Sequence, residues 1–135
     1  MTRTRREDRG QATVELALVL PLVAVLLLVV LQAGLVVRDR VLVTHAAREA
    51  ARAAAVADVD PASAATRAAL RAGDLSAERL AVTSAVVDGG ERVTVRITYR
   101  SSTDVPLVGA LLPDIDLGAE ATMRVEDQEG SARPR

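Results

Sequence analysis

The chain has 135 residues, half of them hydrophobic but only 1% aromatic, and a formal net charge of −1. That length accommodates one small domain plus an anchor, and the near-neutral charge gives no reason to expect nucleic acid or another polyanion as a partner. Cysteine is absent, which removes disulfide staples, thiolate catalysis and Cys-based zinc sites.

Tyr99 is the lone aromatic residue, so any core outside a membrane must be built from Val, Leu, Ile and Ala. Such a core is modest and gains from packing against something else. All 17 basic residues are Arg.

The chain opens with a basic leader, MTRTRREDRG, in which Arg3, Arg5, Arg6 and Arg9 stand against Glu7 and Asp8. Leu16 to Val37 follows as LALVLPLVAVLLLVVLQAGLVV, without a charge. This run matches the roughly 20 residues needed to cross a hydrocarbon core of about 30 Å as a helix. Pro21, Gln32 and Gly34 interrupt it, and a membrane helix tolerates them. The run exceeds the usual apolar core of a secretory signal and its far end, LQAGLVV, lacks a small-x-small cleavage site, so a retained anchor is expected. Arginines flank both ends, with Arg38, Arg40, Arg48 and Arg52 after the run, so the charge balance alone decides little. A short Arg-rich tail usually stays cytoplasmic, and the expected orientation is N-terminus in, C-terminal domain out.

From Arg38 to Ala57 the chain is free of Gly and Pro and rich in strong helix formers. A continuous helix from Ala12 to Ala57 is expected, on the order of 70 Å long at 1.5 Å per residue. Its second half must then project into water or into a partner. Asp60-Pro61 ends that segment and begins another, with Asp60 as N-cap and Pro61 at the first helical position. A short helix over Ala62 to Ala72 follows, with Gly73 suited to cap its end.

The hydrophobic period then changes to two. Leu80, Val82 and Val86 alternate, and Asp88-Gly89-Gly90-Glu91 makes a turn. Val93, Val95, Ile97 and Tyr99 share one face opposite Thr94, Arg96, Thr98 and Arg100. A third strand is expected over Leu117 to Val125, with Ala119, Ala121, Met123 and Val125 on one face. Between the second and third strands, Val105 to Pro113 is an apolar loop expected to cover the sheet or meet a neighbour. The predicted fold class is α+β: a long N-terminal helix, a short second helix and a small three-stranded antiparallel sheet. The expected organisation is a leader at 1–10, a transmembrane and extended helix at 11–57, a small extracytoplasmic domain at 58–126 and a flexible tail at 127–135.

One residue stands apart. Glu15 lies at the mouth of the apolar run, five residues after Gly10, and no further charge appears until Arg38. A carboxylate at the edge of a membrane span is a functional candidate by default, since drawing it toward the bilayer centre costs about 3 kcal/mol or more. Its plainer role is to mark the start of a helix, whose dipole it also complements.

Basic leader, Gly10, Glu15 and apolar span together resemble the processing site of type IV prepilins and of pilin-like proteins of the tight-adherence (Tad) secretion system. The resemblance implies that a membrane prepilin peptidase cuts after Gly10, that Gln11 becomes the mature N-terminus, and that Glu15 is the fifth mature residue. It also implies that Glu15 meets the new N-terminal amine of an adjacent subunit and so acts as a registry device for assembly. Leu16 stands where major pilins of this system usually have Tyr, which moves the resemblance to the minor, TadE-like group. H-A-A-R-E-A-A-R at His45 to Arg52 resembles the block that follows the span in that group, and Pro21 and A-T-M-R-V-E at Ala121 to Glu126 also fit. The residues between Asp60 and Gly118 contribute little.

The implied protein is a minor pilin or pseudopilin in the bacterial plasma (inner) membrane, with membrane lipid, other pilin-like subunits and the Tad membrane platform as partners. Within the block, Ala46, Ala50, Ala54 and Ala57 form a stripe that allows close approach of another helix. Arg48, Glu49 and Arg52 are spaced for ionic contacts on the opposite face. No catalytic, cofactor or metal residues are expected. His45 is the sole histidine and lacks an acidic cluster, and Gly89-Gly90 is a turn, not a phosphate cradle. Arg92, Arg96 and Arg100 are expected to form a basic stripe on the outer sheet face. Without aromatic stacking residues that stripe is a poor nucleic-acid site. The alternative functional reading is an unprocessed single-pass membrane protein whose outer domain binds a partner.

Overall fold

The computed structural model describes residues 4–103, 105, 106, 109 and 113–125, with side-chain surroundings from Gly10 onward. The elements run α1 (Thr4–Ala55), α2 (Pro61–Arg71), β1 (Leu80–Val87), β2 (Arg92–Ser101) and β3 (Ile115–Arg124). The expected α+β class is what is seen. The chain falls into two compact units, one of Met1–Leu35 with Thr103–Pro113, the other of Val36–Ser102 with Asp114–Arg135.

Helix α1 begins at Thr4, earlier than the expected Ala12, and passes through Gly10. The Arg and Glu residues of the leader are good helix formers and propagate the helix backward. Pro21 lies inside α1. It removes one backbone hydrogen bond and presses its ring on the carbonyl of residue 17.

In the second unit the core follows directly from the two periodicities. On β2, Val93, Val95, Ile97 and Tyr99 are buried on one face. On α1, Val43, Ala46, Ala47, Ala50, Ala51, Ala54 and Ala55 are buried at helical spacing, and α2 adds Ala65 and Ala69 to the same cluster. Small side chains on the helices and larger β-branched ones on the central strand interdigitate, as close packing requires.

The sheet order is β1-β2-β3, antiparallel throughout. Ser84 stands opposite Val95, and Val95 opposite Ala121. Asp88, Gly89 and Gly90 all have positive φ in the β1–β2 turn. Only glycine adopts that region cheaply, so the paired glycines are what the turn needs. β1 departs from its expected burial at its end: Val86 stands opposite Val93 in an unbroken register yet is exposed, and Val87 is half-buried.

Asp60 caps α2 as expected, its side chain accepting a hydrogen bond from the Ser63 N–H at 3.1 Å, with Pro61 next in line. That hydrogen bonding at Ser63 holds the Asp60 carboxyl below its ordinary value. The predicted capping role of Gly73 is not observed: Ala72 caps α2 in the right-handed conformation. Buried Ser101 donates to Asp39 at 2.7 Å, and Arg38 approaches Asp39 at 3.7 Å and Asp74 at 3.3 Å.

Of the apolar loop expected at Val105 to Pro113, residues 107, 108 and 110–112 lie outside the described residues, and the loop falls in one compact unit with the start of α1. The Thr103 hydroxyl donates to the Pro113 carbonyl at 3.2 Å, and the Gly109 N–H donates to the Val105 carbonyl at 2.7 Å. A Cβ on Gly109 would lie 2.1 Å from the Thr103 carbonyl oxygen, so this close approach admits only glycine. The expected tail at 127–135 lies outside the described residues.

Candidate functional site

The candidate site is the N-terminal stretch of α1 from Gly10 to Glu15, continued by the apolar run. Gln11 and Glu15 are four apart in one helix and so share a face. Gly10, Gln11 and Glu15 are all exposed. A Cβ built on Gly10 meets nothing within 4 Å. The fold therefore has no packing reason for glycine there, while glycine inside a helix costs about 1 kcal/mol relative to alanine. A residue that weakens the helix without a structural return is one whose use lies elsewhere.

The run that follows is long and apolar enough to cross a membrane by length and composition. Its large side chains face outward: Leu18 is 73% exposed and Leu22 69%. Water does not tolerate such a surface and lipid does, so this segment is a membrane anchor.

Gln32 breaks the pattern, and the sequence noted it only as an interruption. It is 3% exposed, and neither its amide nitrogen nor its amide oxygen has a hydrogen-bond partner among the described residues. Thr103 and Val105, in the same unit, are also buried. The helical spacing around Gln32 gave no signal for this.

The alanine block lies in the second unit. Ala46 and Ala50 are fully buried in this chain's own core, so the small-residue stripe is filled here by the chain itself. Arg48, Glu49 and Arg52 form no ion pair with one another among the described residues, although their spacing permits it. His45 is exposed, and no cluster of metal-ligating side chains occurs among the described residues.

The expected basic stripe is corrected by the strand register. Arg96 pairs with Glu120 at 2.6 Å, Arg100 with Asp116 at 3.2 Å and Arg92 with Asp88 at 3.3 Å. Thr94 and Thr122 share a hydrogen bond at 2.8 Å beside them. Arg92, Arg96 and Arg100 are thus each neutralised by a carboxylate rather than forming a cationic stripe.

A family model described as TadE-like protein matches residues 10–52. Searches of curated proteins and of solved structures returned no match. The family match opens on Gly10, takes in Glu15, Pro21 and the apolar run, and closes on Arg52 at the end of the A-A-R-E-A-A-R block. Over this segment, about a third of its length, the chain is similar to the TadE-like proteins.

Proposed function

We propose that this protein is a TadE-like minor pilin or pseudopilin, cut after Gly10 by a prepilin peptidase and assembled through its N-terminal helix in Tad pilus biogenesis or secretion. The observation that supports it is the coincidence at Gly10: the family match starts there, and the fold gives no packing reason for a glycine.

The chemistry follows from the helix. A peptidase needs an extended backbone, and glycine is the residue at which a helix is cheapest to open and a narrow cleft easiest to enter. Cutting there turns the Gln11 amide into a cationic amine at the start of the span. Glu15 then has an opposite charge to find, and in lipid an unpaired carboxylate is costly. Subunits that align the amine of one with the Glu15 of the next avoid that cost, and misaligned ones do not. The basic leader stays cytoplasmic in this reading, the sheet domain lies outside, and the prepilin peptidase, other pilin-like subunits and the Tad platform are its partners.

Two variants test it. Gly10→Val should leave the leader attached in cells carrying the peptidase. Glu15→Ala should still be cut but should lose incorporation into the apparatus; normal incorporation refutes the registry role.

A further inference from the structure

At the end of α1 lies a surface cavity of about 490 Å³, lined by Arg52, Ala55, Val56, Met123 and Arg124. Its floor is apolar, and its two cationic side chains come from different elements, α1 and β3. Neither guanidinium has an ion pair or hydrogen bond with another described residue. Arg38, Arg92, Arg96 and Arg100 are ion-paired, whereas Arg52 and Arg124, like Arg40, Arg48 and Arg67, have no ion pair among the described residues.

The same unit presents a surface of the opposite character. The turn between α1 and α2 reads Asp58-Val59-Asp60, and Val59 is 93% exposed, more than any large side chain of the apolar run. Asp58 has no ion pair or hydrogen bond with another described residue. Asp60 uses one carboxylate oxygen on the Ser63 N–H. Acid, apolar, acid in the turn is the complement of cation, apolar floor, cation in the cavity.

We propose that the Asp58-Val59-Asp60 turn of a second copy of this chain seats in the cavity. Val59 packs on Ala55, Val56 and Met123, and the flanking carboxylates meet Arg52 and Arg124. Val59 does not fill the cavity of its own chain, as its exposure shows. Turn and cavity are neighbours, since cavity residue Val56 precedes Val59 by less than one helical turn. Adjacent complementary patches close as a two-fold pair, each turn in the other's cavity. Two exposed ion pairs and one valine make a weak contact in dilute solution. Anchoring both copies in one membrane raises their effective concentration and makes such a contact count. This pairing goes beyond the pilin reading and does not require leader removal.

The absence of cysteine makes a clean test possible. Full-length Val59→Cys and Met123→Cys chains, mixed in detergent micelles and oxidised, should give the mixed disulfide dimer in several-fold excess over either homodimer. Arg124→Asp introduced into both chains should remove that excess, and Asp58→Arg added to both should restore it, with circular dichroism melting unchanged throughout. A mixed dimer no more abundant than the homodimers, or undiminished by Arg124→Asp, overturns the contact. A doubly substituted Val59→Cys, Met123→Cys chain should stop at the cross-linked dimer; a ladder of larger species overturns two-fold closure.

Discussion

The two units place opposite kinds of apolar residue on view. In the first, α1 exposes large side chains such as Leu18 and Leu22; in the second, the same helix buries small ones such as Ala46 and Ala50 completely. The inversion is what a change of solvent demands. A lipid-facing segment needs bulk outside and no core. A water-facing segment needs a core, and in a chain with almost no aromatics that core is close-packed alanine against β-branched strand residues. One helix thus obeys two burial rules, and the charges at Arg38, Asp39 and Arg40 mark where one rule gives way to the other.

The sharpest way to break that comparison is to truncate one large residue on each side of it. Ile97→Ala should destabilise the full-length protein by about 2–5 kcal/mol, read from thermal unfolding in detergent micelles, because it opens a cavity in a fully buried site. Leu22→Ala should change unfolding by less than about 0.5 kcal/mol; an equal loss at both positions would refute the two-rule account. Next in size, Ala50→Leu should cost about 1–3 kcal/mol by overpacking a position with no exposed surface.

Gln32 sharpens the comparison from the membrane side. Its amide is buried without a partner among the described residues, so Gln32→Leu is expected to remove a penalty rather than a bond. The variant should be as stable as the parent or up to about 1 kcal/mol more so in the same melts, and a clear loss would mean that the amide is bonded after all. On the water side, Arg96→Ala should cost no more than about 1 kcal/mol and should matter less in high salt, since its pair with Glu120 is exposed.

The smallest effect concerns pH. Asp60 has a lowered folded-state pKa, so its contribution is present above the unfolded value near 3.8 and is lost as pH falls through the lower folded one. Thermal melts taken from pH 7 down to pH 2.5 should show this component, and Asp60→Asn, which keeps the cap without the titration, should lack it.

What the sequence made legible was whatever depends on neighbours along the chain. Asp60-Pro61 announced α2, the alternation from Val93 to Tyr99 announced the buried face of β2, and Asp88 to Glu91 announced the turn. What escaped depended on register or on distant segments. The basic stripe dissolved because β3 sets Glu120 beside Arg96 and Asp116 beside Arg100, a register that alternation alone does not give. The meeting of Arg52 with Arg124 around one cavity joins chain segments far apart in sequence. At the candidate site, spacing singled out Gly10, Gln11 and Glu15 as candidates, and what the structure adds is that Gly10 has open space around it.

The proposal of a cleaved, assembly-competent subunit is tested most directly by the intact mass of the protein recovered from cells that contain an active prepilin peptidase. A mature chain beginning at Gln11 is the predicted result. A chain still carrying the MTRTRREDRG leader, in cells where the apparatus forms normally, would contradict it.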